Sequence, residues 1–471
     1  MYVKLESQRL DFFRSQQEEI RREFLQGLQD SVATGETQAA NIGQRIFLPA
    51  SFIGGPRNMR RKYIDAMTLV QKFGKPDIFL TMTCNPNWPE IKEHLIEKEE
   101  AQNHPDLIVR VFRAKFEELK NEILKKNIFG EVAAYTYVIE FQKRGLPHAH
   151  FLLILKSQHK MFRPEEYDKI VSTEIPDKVK YLHLYKMVKK HMMHGPCGVL
   201  NPSSVCMTKN GKCRHSYPKD FCKETTQTIN SYPVYRRSNN GVRVKVRQHY
   251  LDNRWVVPYN AYLLAKFDCH INVEICSTIQ AVKYIYKYIC KGHDRINFHV
   301  NSDNPNSHID EIQQYRAAHW VSPREAGWRL FRFAMGEIKL AVMHLQLHLG
   351  NYQPINHFVW LPDEKRWKMR DRGDSIGRIN AVHPTEGERY YLRLLLTKVR
   401  APKSFDDLKT YNGVLVRTFR EAALLRGLLQ DDNNQEHFLE EASLFHMPYE
   451  LRRLFATLFV YLVLTIPYNY G

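Results

Sequence analysis

The chain of 471 residues carries 69 Lys and Arg against 51 Asp and Glu, a formal charge of +18 and a pI near 9.4. That balance favours a polyanionic partner, nucleic acid before membrane, and a mean hydropathy of -0.48 fits a soluble globular chain with room for two to four domains. Charges begin at Lys4 and the longest apolar run, 454–466, falls short of the ~20 residues of a membrane span, so neither a leader nor a membrane partner is predicted.

In chain order, Leu10, Phe13, Ile20, Phe24 and Leu28 recur at helical spacing and predict a helix within 1–30. Gly54-Gly-Pro-Arg57 reads as a basic turn, followed by a helix from Tyr63 to Lys72. Residues 77–84 predict a strand stopped by Asn85-Pro-Asn-Trp-Pro89, and 107–127 a strongly periodic helix. Val132 to Phe141 and His148 to Leu155 predict the two strands of a hairpin. Residues 190–226 break the pattern with four cysteines among Gly, Pro and Asn. Strand-like segments resume from Trp255 to Val273, and Thr278 to Lys291 predicts a helix closed by Gly292. Residues 310–471 read mainly as helix and loop, with Trp320, Trp328, Trp360 and Trp367 as core anchors. The expected division is a helical, basic lead-in over 1–60, a central domain over 61–300 that contains the 190–226 insert, and a mainly helical region over 301–471.

Three groups of residues carry chemistry. His148 and His150 are two apart on a strand, so they share a face, and Glu140 closes the preceding strand of the hairpin. Two imidazoles and a carboxylate form a three-sided clamp for a cation, with open positions for a phosphate oxygen and water. Gln142 lies on the same face as Glu140 and is the alternative ligand. His194, Cys197, Cys206 and Cys213 are the favoured ligands of a structural Zn²⁺, with Cys222 or His215 as a substitute. Without a leader, eight cysteines predict thiols or metal ligands in place of disulfides, and Cys84, Cys269, Cys276 and Cys290 read as core thiols. On the 278–291 helix, Tyr284 and Tyr288 stand at i and i+4, each followed at i+3 by a lysine, Lys287 and Lys291. Flanking ammonium groups and a nearby cation favour the phenolate, which is a nucleophile toward phosphate.

Taken together the motifs resemble the replication-initiator (Rep) region of Helitron transposases, often called the Helitron helicase-like domain. The resemblance rests on residues 48–57, on 74–91, on the hairpin, on His194-Gly-Pro-Cys197, on Trp255-Val-Val-Pro-Tyr-Asn260, on Cys269-His-Ile-Asn-Val-Glu274 and on the tyrosine helix. It implies an α+β fold of the HUH endonuclease type, where U is a hydrophobic residue: a central antiparallel sheet with flanking helices in a split βαβ arrangement. It implies Mg²⁺ or Mn²⁺ at the clamp, and two nicking tyrosines that correspond to Tyr284 and Tyr288. The hairpin also looks like that of geminivirus replication initiators, which have a metal-binding glutamate eight residues before the first histidine, and this sets Glu140 ahead of Gln142. The implied activity is nicking and joining of single-stranded DNA at transposon ends through a 5′-phosphotyrosine, in the nucleus. Helitron proteins normally continue into a helicase, whereas this sequence has no Gly-x-x-x-x-Gly-Lys-Ser/Thr loop, so a helicase is expected to be supplied elsewhere. The alternative reading is a catalytically inactive DNA-binding remnant of a transposable element.

Overall fold

Period-two patterning in five short segments builds the sheet on which the candidate site sits. The structure, a computed structural model, describes residues 2–276 other than 19, 21–45, 50, 142–145 and 228–232, and residues 310–429 other than 319 and short stretches between 346 and 403. The chain divides into two compact units, Met1–Phe12 with Leu48–Pro305 and Ile312–Lys339, and Phe13–Phe47 with Asn306–Glu311 and Leu340–Gly471.

The N-terminal prediction corresponds to helix α1 (Tyr2–Ser15). In the first unit, α2 (Pro56–Phe73) leads to β1 (Ile78–Thr83), α3 (Pro105–Leu124) and the hairpin β2 (Val132–Phe141) and β3 (Pro147–Leu155). After α4 (Leu182–His191) come a small ribbon, β4 (Val244–Val246) and β5 (His249–Leu251), then α5 (Ala261–Phe267) and β6 (Ile271–Ile275). Two helices, α6 (Glu311–Ala318) and α7 (Pro323–Leu330), precede β7 (Gly336–Lys339). The sheet order is β6-β1-β3-β2-β7, with every neighbouring pair antiparallel. β1 and β2 therefore run parallel with β3 between them, and α3 connects them.

One face of this sheet is the core. Alternation sends Leu80 and Met82, Tyr137 and Ile139, Ala149 and Phe151, and Ile271 and Val273 to that face, where α3 covers them. Helix α3 buries Ile108, Val109, Phe112, Phe116, Leu119 and Ile123, the stripe its periodicity predicts. The Phe116 ring lies 5.3 Å from that of Phe151 and 4.8 Å, edge-on, from that of Tyr137. Phe116→Ala is expected to lower stability by about 3–5 kcal/mol in a denaturant titration; a loss below about 1 kcal/mol, as at surface sites, would contradict this packing. At the sheet edge, a Cβ on Gly336 would meet the Tyr137 carbonyl oxygen at 2.7 Å, so β7 can approach β2 only as glycine there.

Some sequence expectations need correction. Helix α2 begins at Pro56 inside the expected turn, because proline's fixed φ suits the first helical position. Within the stretch expected to be strand-like from Trp255 to Val273, residues 261–267 form α5, started by the Asn260 side chain, which accepts from Leu263 N at 3.0 Å. Trp328 is fully buried as expected, but Trp320 is 36% exposed. The region expected to be mainly helical contributes β7 to the central sheet. The second unit adds a parallel pair, β8 (Ala341–Leu345) with β11 (Ser375–Ile379), and an antiparallel pair, β9 (Phe358–Leu361) with β10 (Arg366–Met369). Strands of four or five residues are too short to show a period, and tertiary pairing decides them. That unit has its own core, in which Leu392 and Leu395 of α8 (Glu388–Lys398) meet Phe419 and Ala422 of α9 (Phe419–Leu425). Among the described residues no helix is long and apolar enough to cross a membrane.

Candidate functional site

The sheet face opposite α3 carries polar residues where β1, β2, β3 and β6 meet. The antiparallel register places Glu140 opposite His148, Thr83 opposite His148, and Thr81 opposite His150. Because opposed residues share a face, the hairpin brings Glu140, His148 and His150 together as the sequence predicts. The Glu140 side chain reaches diagonally past its direct partner: its Oε2 lies 2.8 Å from His150 Nε2. The two imidazole planes are near parallel, at 10°, with centroids 6.4 Å apart. His150 is 8% exposed, and the Phe79 ring stacks beside it at 6.0 Å.

Both imidazoles are fixed from behind. Thr81 Oγ1 lies 3.0 Å from His150 Nδ1, and Thr83 Oγ1 lies 2.8 Å from His148 Nδ1. A hydroxyl can donate or accept, so each threonine supports either tautomer of its histidine. With Nδ1 turned to threonine, Nε2 is the atom each ring presents on the Glu140 side. That is the arrangement a metal-binding histidine needs: one nitrogen for the ion and the other on a hydrogen-bonding partner. The donor set of two imidazoles and a carboxylate suits Mn²⁺ better than Mg²⁺, which prefers oxygen. As placed, the three donors do not form a closed cage; among the described residues only the His/Cys set below brings three or more donors within 4.8 Å of one another. Glu140 is engaged with His150, and an ion would have to replace that hydrogen bond. Thr-x-Thr on β1 lies opposite His-x-His on β3, a match that only the pairing of the two strands reveals. Thr81→Val and Thr83→Val are each expected to weaken Mn²⁺ binding about 10–100-fold by titration calorimetry, the usual effect of removing such a partner, while Thr→Ser retains it. Equal affinity in the valine variants would show that the hydroxyls do not set the rings.

The second group lies beyond α4. His194, Cys197, Cys206 and Cys213, the four favoured residues, have ligand atoms within 4.8 Å of one another. The Sγ atoms of Cys197 and Cys213 each lie 3.6 Å from His194 Nε2. A tetrahedron with ordinary Zn–S and Zn–N bonds has N···S edges of about 3.6 Å, so the cluster fits a zinc ion. Local structure explains the convergence. A turn, in which Gly211 N donates to Thr208 O at 3.0 Å and Thr208 N to Lys212 O at 2.8 Å, returns the chain so that Met207 bridges Cys213. His194 N donates to Trp255 O at 2.8 Å, and the His194 ring stacks on Tyr217 at 4.2 Å. Cys197, Leu251 and Trp255 form a small core beneath.

The side chains of the cluster are perturbed by burial and by one another. Burial, helped by the nearby His215 ring and the Lys219 ammonium, lowers the His194 pKa to about 4, so the ring is neutral and able to ligate. Burial and then the neighbouring thiols push Cys197 up to about 12. Burial acts to raise Cys213, but hydrogen bonds from the backbone N–H groups of Tyr217 and His215 and from the thiols of Cys197 and Cys206 together carry it down. Several thiolates so close together need a positive ion to coexist. The substitutes are not part of the cluster: Cys222 Sγ donates to Glu224 O at 2.7 Å, and the His215 ring lies 5.9 Å from that of His194. Cys84, Cys269 and Cys276 are buried thiols, as expected. Gln142, Cys290 and the predicted Tyr284, Lys287, Tyr288 and Lys291 lie outside the described residues.

Residues 1–153 match the family described as Helitron helicase-like domain at N-terminus, and that part of the chain is recognised as a Helitron helicase-like region. The match takes in β1, α3, β2 and nearly all of β3, and so includes Glu140, His148 and His150. The His/Cys cluster and the tyrosines lie beyond it. No curated protein matches the chain.

Proposed function

We propose that this chain, with its Helitron helicase-like region, is a transposition endonuclease that nicks and joins single-stranded DNA by a Rep-type mechanism. The observation that carries the reading is the row of Glu140, His148 and His150 on one sheet face, with both Nδ1 atoms tied to threonine hydroxyls. The topology supports it: β1 and β2 run parallel with β3 between them and α3 in the connection, the order that a split βαβ arrangement would have. In this reading the 190–226 stretch is a zinc-stapled insert in a domain spanning 61–300, the partners are single-stranded transposon ends and a helicase supplied elsewhere, and the location is the nucleus.

His148, His150 and Glu140 would hold Mg²⁺ or Mn²⁺, and a bound ion would polarise the scissile phosphate and offset charge in the transition state. Tyr284 or Tyr288, as phenolate, attacks phosphorus. The bond from phosphorus to the 3′-oxygen breaks, that oxygen takes a proton from water to become a 3′-hydroxyl, and a 5′-phosphotyrosine remains. Lys287 and Lys291 favour the phenolate by charge. A 3′-hydroxyl attacking the phosphotyrosine reverses the step and joins strands, releasing the tyrosine. The formal charge of +18 favours a basic path for the strand, with aromatic residues for stacking.

The test is end-labelled single-stranded oligonucleotides bearing transposon termini, incubated with the full chain and Mn²⁺. Cleavage by the parent and none by His148→Ala is the expected result. Strand binding by both proteins, with no cleavage by either, would instead establish the DNA-binding remnant.

A further inference from the structure

Half of the chain's net positive charge comes from one stretch. Residues 178–219 contain nine Lys and Arg and no Asp or Glu, in a chain whose formal charge is +18. Within that stretch, α4 turns one charged face outward. Lys186, Lys189 and Lys190 stand at i, i+3 and i+4 and are exposed, as are Leu182 and His183 on the same face, while Val188 is buried in the core and Leu184, Tyr185 and Met187 pack against it. Lys178, Lys180 and Tyr181 lead into the helix and are exposed as well, Tyr181 by 60%.

Few carboxylates meet these cations. Lys190 Nζ lies 3.2 Å from Asp268 Oδ1, and His191 Nε2 lies 2.7 Å from the same oxygen. Asp177, beside Lys180, is engaged by the backbone N–H groups of Val179 and Lys180 at 2.7 and 2.9 Å. Among the described residues no carboxylate forms an ion pair with Lys178, Lys186 or Lys189. The helix is also anchored beside the clamp. Thr83 Oγ1 holds His148 Nδ1, Thr83 N donates to His270 O at 2.9 Å, and His270 Nδ1 donates at 2.8 Å to the carbonyl of His191, the last residue of α4. β6, which His270 precedes, is the edge of the sheet, two strand spacings of ~4.8 Å from β3. The Lys190–Asp268 pair turns the charged face toward that edge. From there α4 runs for ~15 Å, room for several phosphates of one strand.

We propose that the exposed face of α4 and its lead-in are a track for the single strand held at the His148/His150 row. Lys186 and Lys189 each contact a phosphate, Lys178 and Lys180 extend the track, and the Tyr181 ring stacks on a base. Lysines without a carboxylate partner lose no ion pair on binding and gain from counterion release. Stacking on an exposed tyrosine needs an unpaired base, which selects a single strand over a duplex. The track rests on the single-stranded-DNA reading above and adds the path the strand takes away from the clamp.

The experiment is fluorescence anisotropy of labelled single-stranded oligonucleotides with transposon termini, using the full chain without added Mg²⁺ or Mn²⁺ across a salt series. Lys186→Gln/Lys189→Gln is expected to weaken binding and make the log–log salt slope shallower by about 1.4, the loss of two phosphate contacts on a single strand. Tyr181→Ala is expected to weaken binding about tenfold at parent slope, the loss of one stacked base. All three side chains are exposed, so thermal midpoint and Mn²⁺ affinity stay at parent values. Lys98→Gln/Lys125→Gln removes the same charge at two exposed lysines outside the track and is expected to keep the parent slope. A parent slope in Lys186→Gln/Lys189→Gln, or an equal loss in Lys98→Gln/Lys125→Gln, would overturn the track and leave the nuclease reading intact. Parent affinity in Tyr181→Ala would overturn the stacking that makes the track specific to a single strand. If the parent itself binds no single-stranded DNA, the nuclease reading falls and the track falls with it.

Discussion

Cys213→Ser is expected to remove the capacity of the His/Cys cluster to bind zinc and to open the segment around residues 194–226 to protease. Each ligand is supplied by irregular chain, shaped by short turns and by a few bonds to distant chain such as His194 N to Trp255 O. The apolar core beneath contains few residues, chiefly Cys197, Leu251 and Trp255. Such a core cannot offset the entropy of ordering the surrounding loops, whereas structural zinc in small modules supplies on the order of 10–16 kcal/mol of apparent binding free energy. Limited proteolysis with mass spectrometry reads the opening, and metal analysis reads the ion. Chelation of the parent should reproduce the variant, while helix and sheet signals from the α3-backed core persist. A Cys213→Ser protein that still carries this zinc, or resists protease as the parent does, would contradict the assignment.

The second large effect is expected at the clamp. His150→Ala removes Nε2 from the row and leaves the Glu140 carboxylate, only 13% exposed, without the partner it holds at 2.8 Å. Mn²⁺ affinity is expected to fall by more than the 10–100-fold typical of an outer partner, and stability by about 1–3 kcal/mol through loss of the buried His150–Glu140 hydrogen bond. Glu140→Gln separates the two. Its amide oxygen can still accept from His150, so the fold is retained, while the negative charge that attracts the cation is gone. Weak Mn²⁺ binding with near-parent stability is the expected result for Glu140→Gln. Parent Mn²⁺ affinity in both variants would remove the clamp.

The placement of Glu140, His148 and His150 on one sheet face was legible in the sequence because it needs only two periodicities and a hairpin. The supports of this row, Thr81 and Thr83, were less visible. Their role depends on β1 lying beside β3, a pairing across about seventy positions of chain that no local pattern specifies. The His/Cys ligands were chosen by residue type, and the chain geometry then selected His194, Cys197, Cys206 and Cys213 over Cys222 and His215, because the turn at 208–211 returns Cys213 to Cys206. Helix α5 and the short strands after Gly336 were misread because a seven-residue helix and four-residue strands carry too few positions to show a period. Their caps and partners, Asn260 for α5 and the Tyr137 carbonyl for β7, decide them.

The proposed tyrosine chemistry is tested most directly by trapping its intermediate. The full chain is incubated with Mn²⁺ and a single-stranded oligonucleotide bearing a transposon terminus, and the products are resolved under denaturing conditions and weighed by intact-protein mass spectrometry. The expected result is a protein whose mass has increased by that of the 3′-side fragment, attached through a 5′-phosphotyrosine at Tyr284 or Tyr288, and no adduct with Tyr284→Phe/Tyr288→Phe. An adduct that survives in the double variant, or strand cleavage by the parent that never passes through one, would contradict it.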